Sequence, residues 1–187
     1  MKNSIIILLA GALLLMLASC ADKKKDAANR PVEIVETVAS ADSTIYGRCG
    51  DGTTMNSLEL ITDKGDVMNI LLEGADTCSV VQGGLLAGDR LAVIAVKDEN
   101  GELFARSVLN ITSLLGKWTS IDRTFTIEDG GVVNGDNTEP NPYIEWKINN
   151  GNLVLSSDTF SVYSLGPDSL LLENKNGIYA YRRVVKK

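Results

Sequence analysis

The stretch Leu114-Leu115-Gly116-Lys117-Trp118 decides how the chain is organised. Strand-like segments separated by Gly, Asn and Asp turns lie on both sides of it, in residues 33–113 and in residues 114–187. Before residue 33 the pattern is different, because an apolar run is followed by a polar one. The sequence therefore predicts an all-β protein with two small antiparallel β domains, preceded by a segment that belongs to neither domain.

The first 20 residues have the features of a secretory signal. Lys2 supplies a short basic region, residues 5–18 are apolar apart from small residues, and Leu17-Ala18-Ser19-Cys20 ends the run. This run is shorter than the roughly 20 apolar residues that span a bilayer. Its last four residues resemble the bacterial lipobox. The resemblance implies cleavage before Cys20 and acylation of the Cys20 sulfur with a fatty acid such as palmitate, which anchors the mature protein to a membrane.

The domain boundaries follow from these changes in pattern. We predict a signal peptide at 1–19, a lipidated flexible tether at 20–32, and β domains at 33–113 and 114–187. The tether is polar and lacks an apolar period, which is typical of a solvated spacer. It also lacks the run of acidic residues that marks surface-exposed lipoproteins in some Gram-negative lineages. We therefore expect a cell-envelope protein anchored in the outer membrane and facing the periplasm.

Charge restricts the class of partner. The chain has 24 acidic and 18 basic residues and no histidine, which gives a net charge of −6. Most of the imbalance lies in residues 33–113, where 13 acidic side chains face five basic ones. An acidic surface repels phosphate backbones, so we expect no nucleic acid partner.

The first domain alternates between strands and turns. Residues 57–62 (SLELIT) alternate, a turn at 63–66 leads to a second strand at 67–72, and residues 91–96 (LAVIAV) form a continuous apolar run. The predicted order is three strands, a short helix and two strands. That order and the segments GDRLAV (88–93) and GELFAR (101–106) resemble an OB-fold. OB-folds bind oligonucleotides or oligosaccharides, but this domain has few aromatic residues for stacking, so the resemblance implies the fold alone.

The second domain opens with Gly116-Lys117-Trp118, which resembles the first strand of lipocalins and of short lipocalin-like domains in bacterial lipoproteins. The resemblance implies that Trp118 closes the base of a barrel and that Arg182 or Arg183 stacks on it. Residues 129–142 form a predicted polar loop, and about seven short strands make up the domain. One of them, residues 143–148 (YIEWKI), is expected to place Ile144, Trp146 and Ile148 on one face.

The second domain is only about half as long as a full lipocalin, and small barrels fill their interiors with side chains. We therefore expect these apolar residues to form a core rather than the wall of a cavity: Phe125, Trp146, Phe160, Leu170 and Leu172. A cleft between the two domains is the better place for a ligand.

Several kinds of chemistry are unexpected in this chain. The absence of histidine removes His-dependent catalysis and His zinc sites, and there is no CxxC, P-loop or GxGxxG motif. Cys49 and Cys78, the cysteines left after lipidation, either form a disulfide or remain as two buried thiols. Paired acids such as Asp63/Asp66 and Asp98/Glu99 lie in predicted turns, where acidic residues serve turn geometry and solubility. We predict no cofactor, no metal site and no catalytic residues.

The sequence favours a non-catalytic binding or scaffolding module of the envelope. Its expected partner is another envelope protein, a glycan or a small apolar molecule at the domain junction. The residues proposed for that junction are Trp118, Trp146, Tyr163, Tyr179, Tyr181, Arg182 and Arg183. The alternative for these side chains is ordinary core and strand-face packing. Two other hypotheses stay open: a carboxylate-dependent hydrolase, with two acids converging in one cleft, and a purely structural envelope protein.

Overall fold

The computed structural model describes residues 41–72, 80–135 and 140–185. Within these residues, fourteen strands form two sheets. The predicted fold class is confirmed, since the protein is all-β with two sheets in which antiparallel pairing dominates. The predicted signal peptide, the tether with Cys20 and residues 33–40 of the first predicted domain lie outside the described residues.

The first sheet contains six strands and closes into what we call the first barrel. The strands are β1 Ile45–Cys49, β2 Ser57–Thr62, β3 Val67–Leu71, β4 Val81–Gln82, β5 Arg90–Lys97 and β6 Leu103–Asn110. Their order is β3-β2-β1-β5-β6-β4, and a parallel pairing of Leu71 with Phe104 joins β3 to β6. The resemblance to OB-folds noted from the sequence concerns this barrel. Membership of that family stays a prediction.

Alternation along the strands builds the core of the first barrel. In β2 the side chains of Leu58 and Leu60 are completely buried, whereas Ile61 is exposed, as the SLELIT pattern predicts. The remaining core residues come from the other strands: Cys49, Ile70, Leu91, Val93, Ala105 and Val108.

A single turn of helix leads into the second sheet. Helix α1 is Ile111–Leu114, and the Asn110 side chain caps it by accepting a hydrogen bond from Ser113 N. The strands that follow are β7 Gly116–Thr119, β8 Thr124–Ile127, β9 Val133–Gly135, β10 Trp146–Asn149, β11 Asn152–Leu155, β12 Asp158–Leu165, β13 Ser169–Asn174 and β14 Gly177–Arg183. A 3-10 turn, Asp129–Gly131, lies between β8 and β9.

The second sheet is an antiparallel meander that curls until its ends approach each other. Its order is β10-β11-β12-β13-β14-β7-β8-β9, so consecutive strands pair from β7 to β9 and from β10 to β14, and β14 pairs with β7. An isolated bridge between Val132 and Glu145 and a hydrogen bond from Val133 N to Ile144 O (3.0 Å) connect the β9 side to the β10 side. We call this nearly closed structure the second barrel.

Side chains fill the second barrel, as expected from its length. Phe125, Phe160, Leu170 and Leu172 are buried, and Trp146 is partly buried against the same cluster. Two expectations were wrong. The predicted polar loop contains β9, and Ile144 is 66% exposed while its neighbour Tyr143 is buried. Strand β10 begins only at Trp146, so the alternation of residues 146–148 does not extend back to residue 144.

The two barrels pack on each other. The core cluster of the second barrel also contains Ala92, Leu109 and Ile111, which lie on or just after the strands of the first. Leu165 N donates a hydrogen bond to the buried Gln82 side chain (2.9 Å), and Tyr46 Oη donates to Ile148 O (3.1 Å). From Ala41 onward the chain accordingly forms one compact unit. The boundary between 33–113 and 114–187 as separate domains stays a prediction.

The chain enters this unit at the second barrel, although it builds the first barrel first. Asn150, in the turn between β10 and β11, accepts hydrogen bonds through Oδ1 from Ser43 N (2.9 Å) and Ser43 Oγ (3.0 Å). Its own N–H donates to Asp42 Oδ1 (2.9 Å). Residues 42 and 43 are thereby fixed to the β10–β11 turn before β1 begins at Ile45.

Candidate functional site

Trp118, on β7, and Arg183, at the end of β14, form one cluster in the second barrel. Trp118 is completely buried, and its Nε1 donates to Leu114 O (2.9 Å). The Arg183 guanidinium lies 4.2 Å from the centre of the Trp118 ring. Of the two arginines considered from the sequence, Arg183 makes the stacking contact, and Arg182, one position along the strand, is exposed.

Arg183 also connects three segments of backbone. Its Nε donates to Pro167 O (2.6 Å), its Nη1 donates to Leu115 O (2.7 Å) and its Nη2 donates to Ser113 O. Burial lowers the pKa of the guanidinium, which still stays charged at neutral pH because arginine is the most basic side chain. Gly116 makes room for it: a Cβ there would lie 2.5 Å from Arg183 Nη1, and φ is +134°. We assign this cluster a structural role.

A row of aromatic rings runs through the interior of the second barrel. Tyr181 meets Phe125 edge to face with ring centres 5.0 Å apart, and Phe125 meets Tyr143 in the same way at 5.5 Å. Tyr143 leads to Phe160 at 6.5 Å, and Phe160 leads to Tyr179 at 5.8 Å. Edge-to-face pairs are favourable beyond their burial, so the row stabilises a filled interior. Tyr179, the last member, is 37% exposed at the barrel surface.

An open cleft of about 780 Å³ lies along β14, on the side where β7 ends. β7 pairs with β14 only at Arg182 and Arg183, and the chain turns away after Thr119. The turn is tight, because Ser120 N donates to Arg123 O (2.8 Å). The cleft lies between this turn and the strand. Its lining residues are Thr119–Asp122, Asp168, Ser169, Leu171 and Ile178–Arg182.

Exposed apolar side chains border the cleft. Ile121, at the tip of the turn, is 99% exposed, and Ile178 is 54% exposed. Single exposed apolar residues are ordinary, but here two of them flank the same cleft. We take this surface, called here the β14 cleft, as the candidate functional site.

A second open cleft of about 600 Å³ lies at the other end of strands β12 and β13. Polar and charged side chains line it: Asn152, Ser157, Asp158, Thr159, Ser161, Glu173, Asn174, Lys175 and Asn176. It offers hydrogen bonds to a polar ligand but lacks the exposed apolar residues of the β14 cleft.

The acidic residues bear on the hydrolase hypothesis. Asp122 and Asp168 both line the β14 cleft, so two carboxylates do share one cleft, but both are exposed. A general acid usually needs a desolvated carboxyl with a raised pKa.

The pKa of Asp63, on the first barrel, is shifted in the opposite direction. The hydrogen bond from Arg90 lowers its pKa, and the two side chains form a forked ion pair (Nη2–Oδ2 2.7 Å). Among the described residues, no group of three or more Cys, Asp or Glu side chains is arranged to hold a metal ion.

The residues proposed from the sequence for a ligand fall into three environments. Trp118 and Tyr181 are buried core, and Trp146 is partly buried, with its Nε1 donating to Glu128 O (2.6 Å). Tyr163 is exposed on β12. Tyr179, Tyr181 and Arg182 line the β14 cleft.

The junction between the barrels uses other side chains than those proposed, namely Tyr46, Gln82, Ala92, Leu109 and Ile111. Cys49 is a buried free thiol, with its Sγ 3.3 Å from Thr53 Oγ1. Cys78 lies outside the described residues, so whether the two cysteines pair stays open.

In the part of the chain that the structure describes, no helix is long and apolar enough to cross a membrane. Comparisons with protein-family models, with curated proteins and with solved structures gave no match to this chain, so the geometry of the β14 cleft carries the functional argument that follows.

Proposed function

We propose that this chain is a lipid-anchored protein of the cell envelope and acts as a non-catalytic binding module through the β14 cleft. Its ligand classes are those expected from the sequence: an envelope protein, a glycan or a small apolar molecule. The anchor is Cys20, and the membrane is the outer membrane, with the folded part facing the periplasm. The observation that carries the binding role is the β14 cleft itself, which is open and bordered by exposed apolar side chains.

The packing of the molecule supports a surface site over an internal one. The interiors of both barrels are occupied by buried side chains, and the junction between them is packed. A ligand inside the second barrel would have to displace the aromatic row, whose members contact one another. The outside of β14 requires no such rearrangement.

Site-specific photocrosslinking in the native host tests the binding role. A photoreactive amino acid replaces Ile178, in the β14 cleft, and in a matched control it replaces Val67, which is similarly exposed on the first barrel. We expect a discrete adduct from position 178 and none from position 67. Native mass spectrometry of the protein purified from its host would show a carried glycan or small apolar ligand. If neither experiment yields a specific product, a purely structural role is favoured.

The hydrolase is the second candidate, because Asp122 and Asp168 share the cleft. It predicts that Asp122→Asn and Asp168→Asn each abolish turnover of an envelope substrate while leaving its binding intact. Binding that persists in both variants without any turnover in the wild type favours the non-catalytic module.

A further inference from the structure

We propose that the β14 cleft binds an extended peptide segment by strand addition, so that the segment pairs with the open edge of β14. This inference deepens the binding function proposed above and rests on it. The first observation is the unequal pairing of β14. On one side, β13 pairs with it along its whole length from Gly177 to Arg182, whereas on the other side β7 pairs with Arg182 and Arg183 alone. From Gly177 to Ala180, the β7 side of β14 therefore has no neighbouring strand among the described residues.

Two hydrogen bonds fix which backbone groups point into the cleft. Arg183 N donates to Asp168 O on the β13 side (2.9 Å), and Val184 N donates to Lys117 O on the β7 side (2.8 Å). In antiparallel pairing, the N–H and C=O groups of one residue point to the same side of the strand, and those of the next residue point to the other side. Even-numbered residues of β14 thus face the β7 side. Ile178 and Ala180 present two N–H and two C=O groups to the cleft. Among the described residues, neither of them has a strand partner other than β13.

The spacing of these groups matches a polypeptide. Two residues of a strand repeat after about 6.6–6.8 Å, which is the repeat of any extended peptide laid alongside it. A glycan or a fatty acid has no such alternation of donors and acceptors. Strand addition to an exposed sheet edge is an established way of binding a peptide, with the main chain giving affinity and alternate side chains giving specificity.

The surrounding side chains define the kind of peptide. The site is about five residues long, and one end is blocked by the Ser120–Arg123 turn, which lies in line with the incoming segment. Ile121 and Ile178 provide apolar contacts for alternate side chains. Asp122 and Asp168 outnumber Arg182 in the lining, so the cleft itself is weakly acidic. The occupant is therefore a short, neutral or basic extended segment with apolar side chains at alternate positions.

A second copy of this chain fits the edge poorly. In a symmetric antiparallel pair centred on Tyr179, Arg182 of one copy would face residue 176 of the other. Arg182 is already paired with Thr119, so the β13–β14 turn of the second copy would meet the β7–β8 turn. A partner segment without such a turn avoids this clash.

Amide hydrogen exchange of the full chain in detergent micelles tests strand addition. The probe is the blocked peptide KVTVTVK, added at about 1 mM. Its controls are EVTVTVE, which tests charge, and a KVTVTVK analogue that is N-methylated at alternate residues and so cannot donate to the edge. We expect KVTVTVK to slow exchange of the Ile178 and Ala180 amides about tenfold, the value for a Kd tenfold below the probe concentration. EVTVTVE should bind more weakly, and the N-methylated peptide should give no protection.

Two variants identify the edge as the site. Ala180→Pro removes one N–H from the edge, and Ile121→Lys removes an apolar contact while leaving the strand intact. Both should lose at least about tenfold in affinity for KVTVTVK, whereas Val67→Lys on the first barrel should retain wild-type affinity. If Ala180→Pro fails to fold, Ile121→Lys and the N-methylated peptide still decide the outcome.

Equal binding of the N-methylated peptide, or unchanged exchange at Ile178 and Ala180 at about 1 mM probe, overturns strand addition. A specific photoadduct at position 178, or a carried glycan or apolar ligand, combined with that result leaves the binding module in place and removes only its peptide ligand. A self-associating chain that protects the same amides without probe assigns the edge to a second copy and also overturns the proposal.

Discussion

Replacing Arg183 with Ala should destabilise the folded chain more than almost any other change to a partly exposed residue. The substitution removes the donors to the carbonyls of Ser113, Leu115 and Pro167 and uncovers one face of the Trp118 ring. It therefore removes the side-chain connection from the end of β14 to α1, to the residue that follows α1 and to the β12–β13 turn.

The expected magnitude follows from these contacts. A hydrogen bond to a charged group contributes about 1.5–3 kcal/mol, and the cation–π contact contributes about 0.5–2 kcal/mol. The contributions do not add fully, and water reaches part of the site after the side chain is removed. We expect Arg183→Ala to lower the free energy of unfolding by about 3 kcal/mol, which corresponds to a drop in Tm of about 6–12 °C for a unit of this size. Arg183→Lys keeps the charge but loses the planar guanidinium, so we expect it to lower the free energy of unfolding by about half as much as Arg183→Ala.

The assay is thermal unfolding of the full chain in a mild detergent, followed by near-UV circular dichroism. The matched control is Arg182→Ala, one residue away and exposed, which should change the free energy of unfolding by less than about 0.5 kcal/mol. Equal shifts in Tm for the two alanine variants would refute the reasoning, because Arg183 would then contribute no more than a surface side chain.

Three further predictions use other parts of the structure. Gly116→Ala should lower the free energy of unfolding by at least about 2 kcal/mol in the same assay, because φ there is +134° and the new Cβ would meet Arg183 Nη1. The control Gly65→Ala should lower it by less, because Gly65 has a positive φ but no close neighbour. Asp63→Asn should flatten the dependence of the free energy of unfolding on pH below about pH 4. The hydrogen bond from Arg90 lowers the pKa of Asp63 in the folded state. The stability that Asp63 contributes is therefore present above its unfolded-state pKa of about 3.9 and is lost as the pH falls through its folded-state pKa. The pair is half exposed, so the loss at neutral pH should be no more than about 1 kcal/mol by chemical denaturation, and a profile identical to wild type would contradict the assignment. Cys20→Ser should abolish incorporation of radiolabelled palmitate in the host, and labelling that persists would remove the lipid anchor from the proposal.

Much of the strand pattern was predictable because local sequence and tertiary environment agree. In SLELIT, the alternation that predicts a half-buried strand is the alternation that the first barrel buries. Between β10 and β11 the sequence predicts a hairpin turn, and Asn150, with φ of 48°, and Gly151 adopt the left-handed conformation that such turns need. At these positions the short-range preferences are sufficient.

The sequence failed where partners from distant segments decide the structure. β9 is only Val133–Gly135, and its polar surroundings look like a loop, but pairing of these residues with β8 makes them a strand. The preceding residues did not show that the alternation of β10 starts at Trp146 rather than Tyr143, because a bridge to Val132 holds Glu145 outside the regular ladder.

The candidate site was missed for a related reason. Aromatic composition directed attention to the second domain and named Tyr179, Tyr181 and Arg182, which do line the β14 cleft, but it placed the ligand at the domain junction. A cleft beside an open strand edge depends on unequal strand lengths. β14 has seven residues and β7 has four, and the sequence did not show where β7 ends.

The contact of Asp42 and Ser43 with Asn150 has a mechanical consequence. A pull on the chain from its N-terminal side reaches the β10–β11 hairpin before it reaches β1. Force applied on the N-terminal side of Ala41 is thus transferred first to the β10–β11 turn of the second barrel, and it reaches β1 of the first barrel only after these contacts break. The three hydrogen bonds act as a mechanical clamp that must break before force from the N-terminal side can separate β1 from its neighbours.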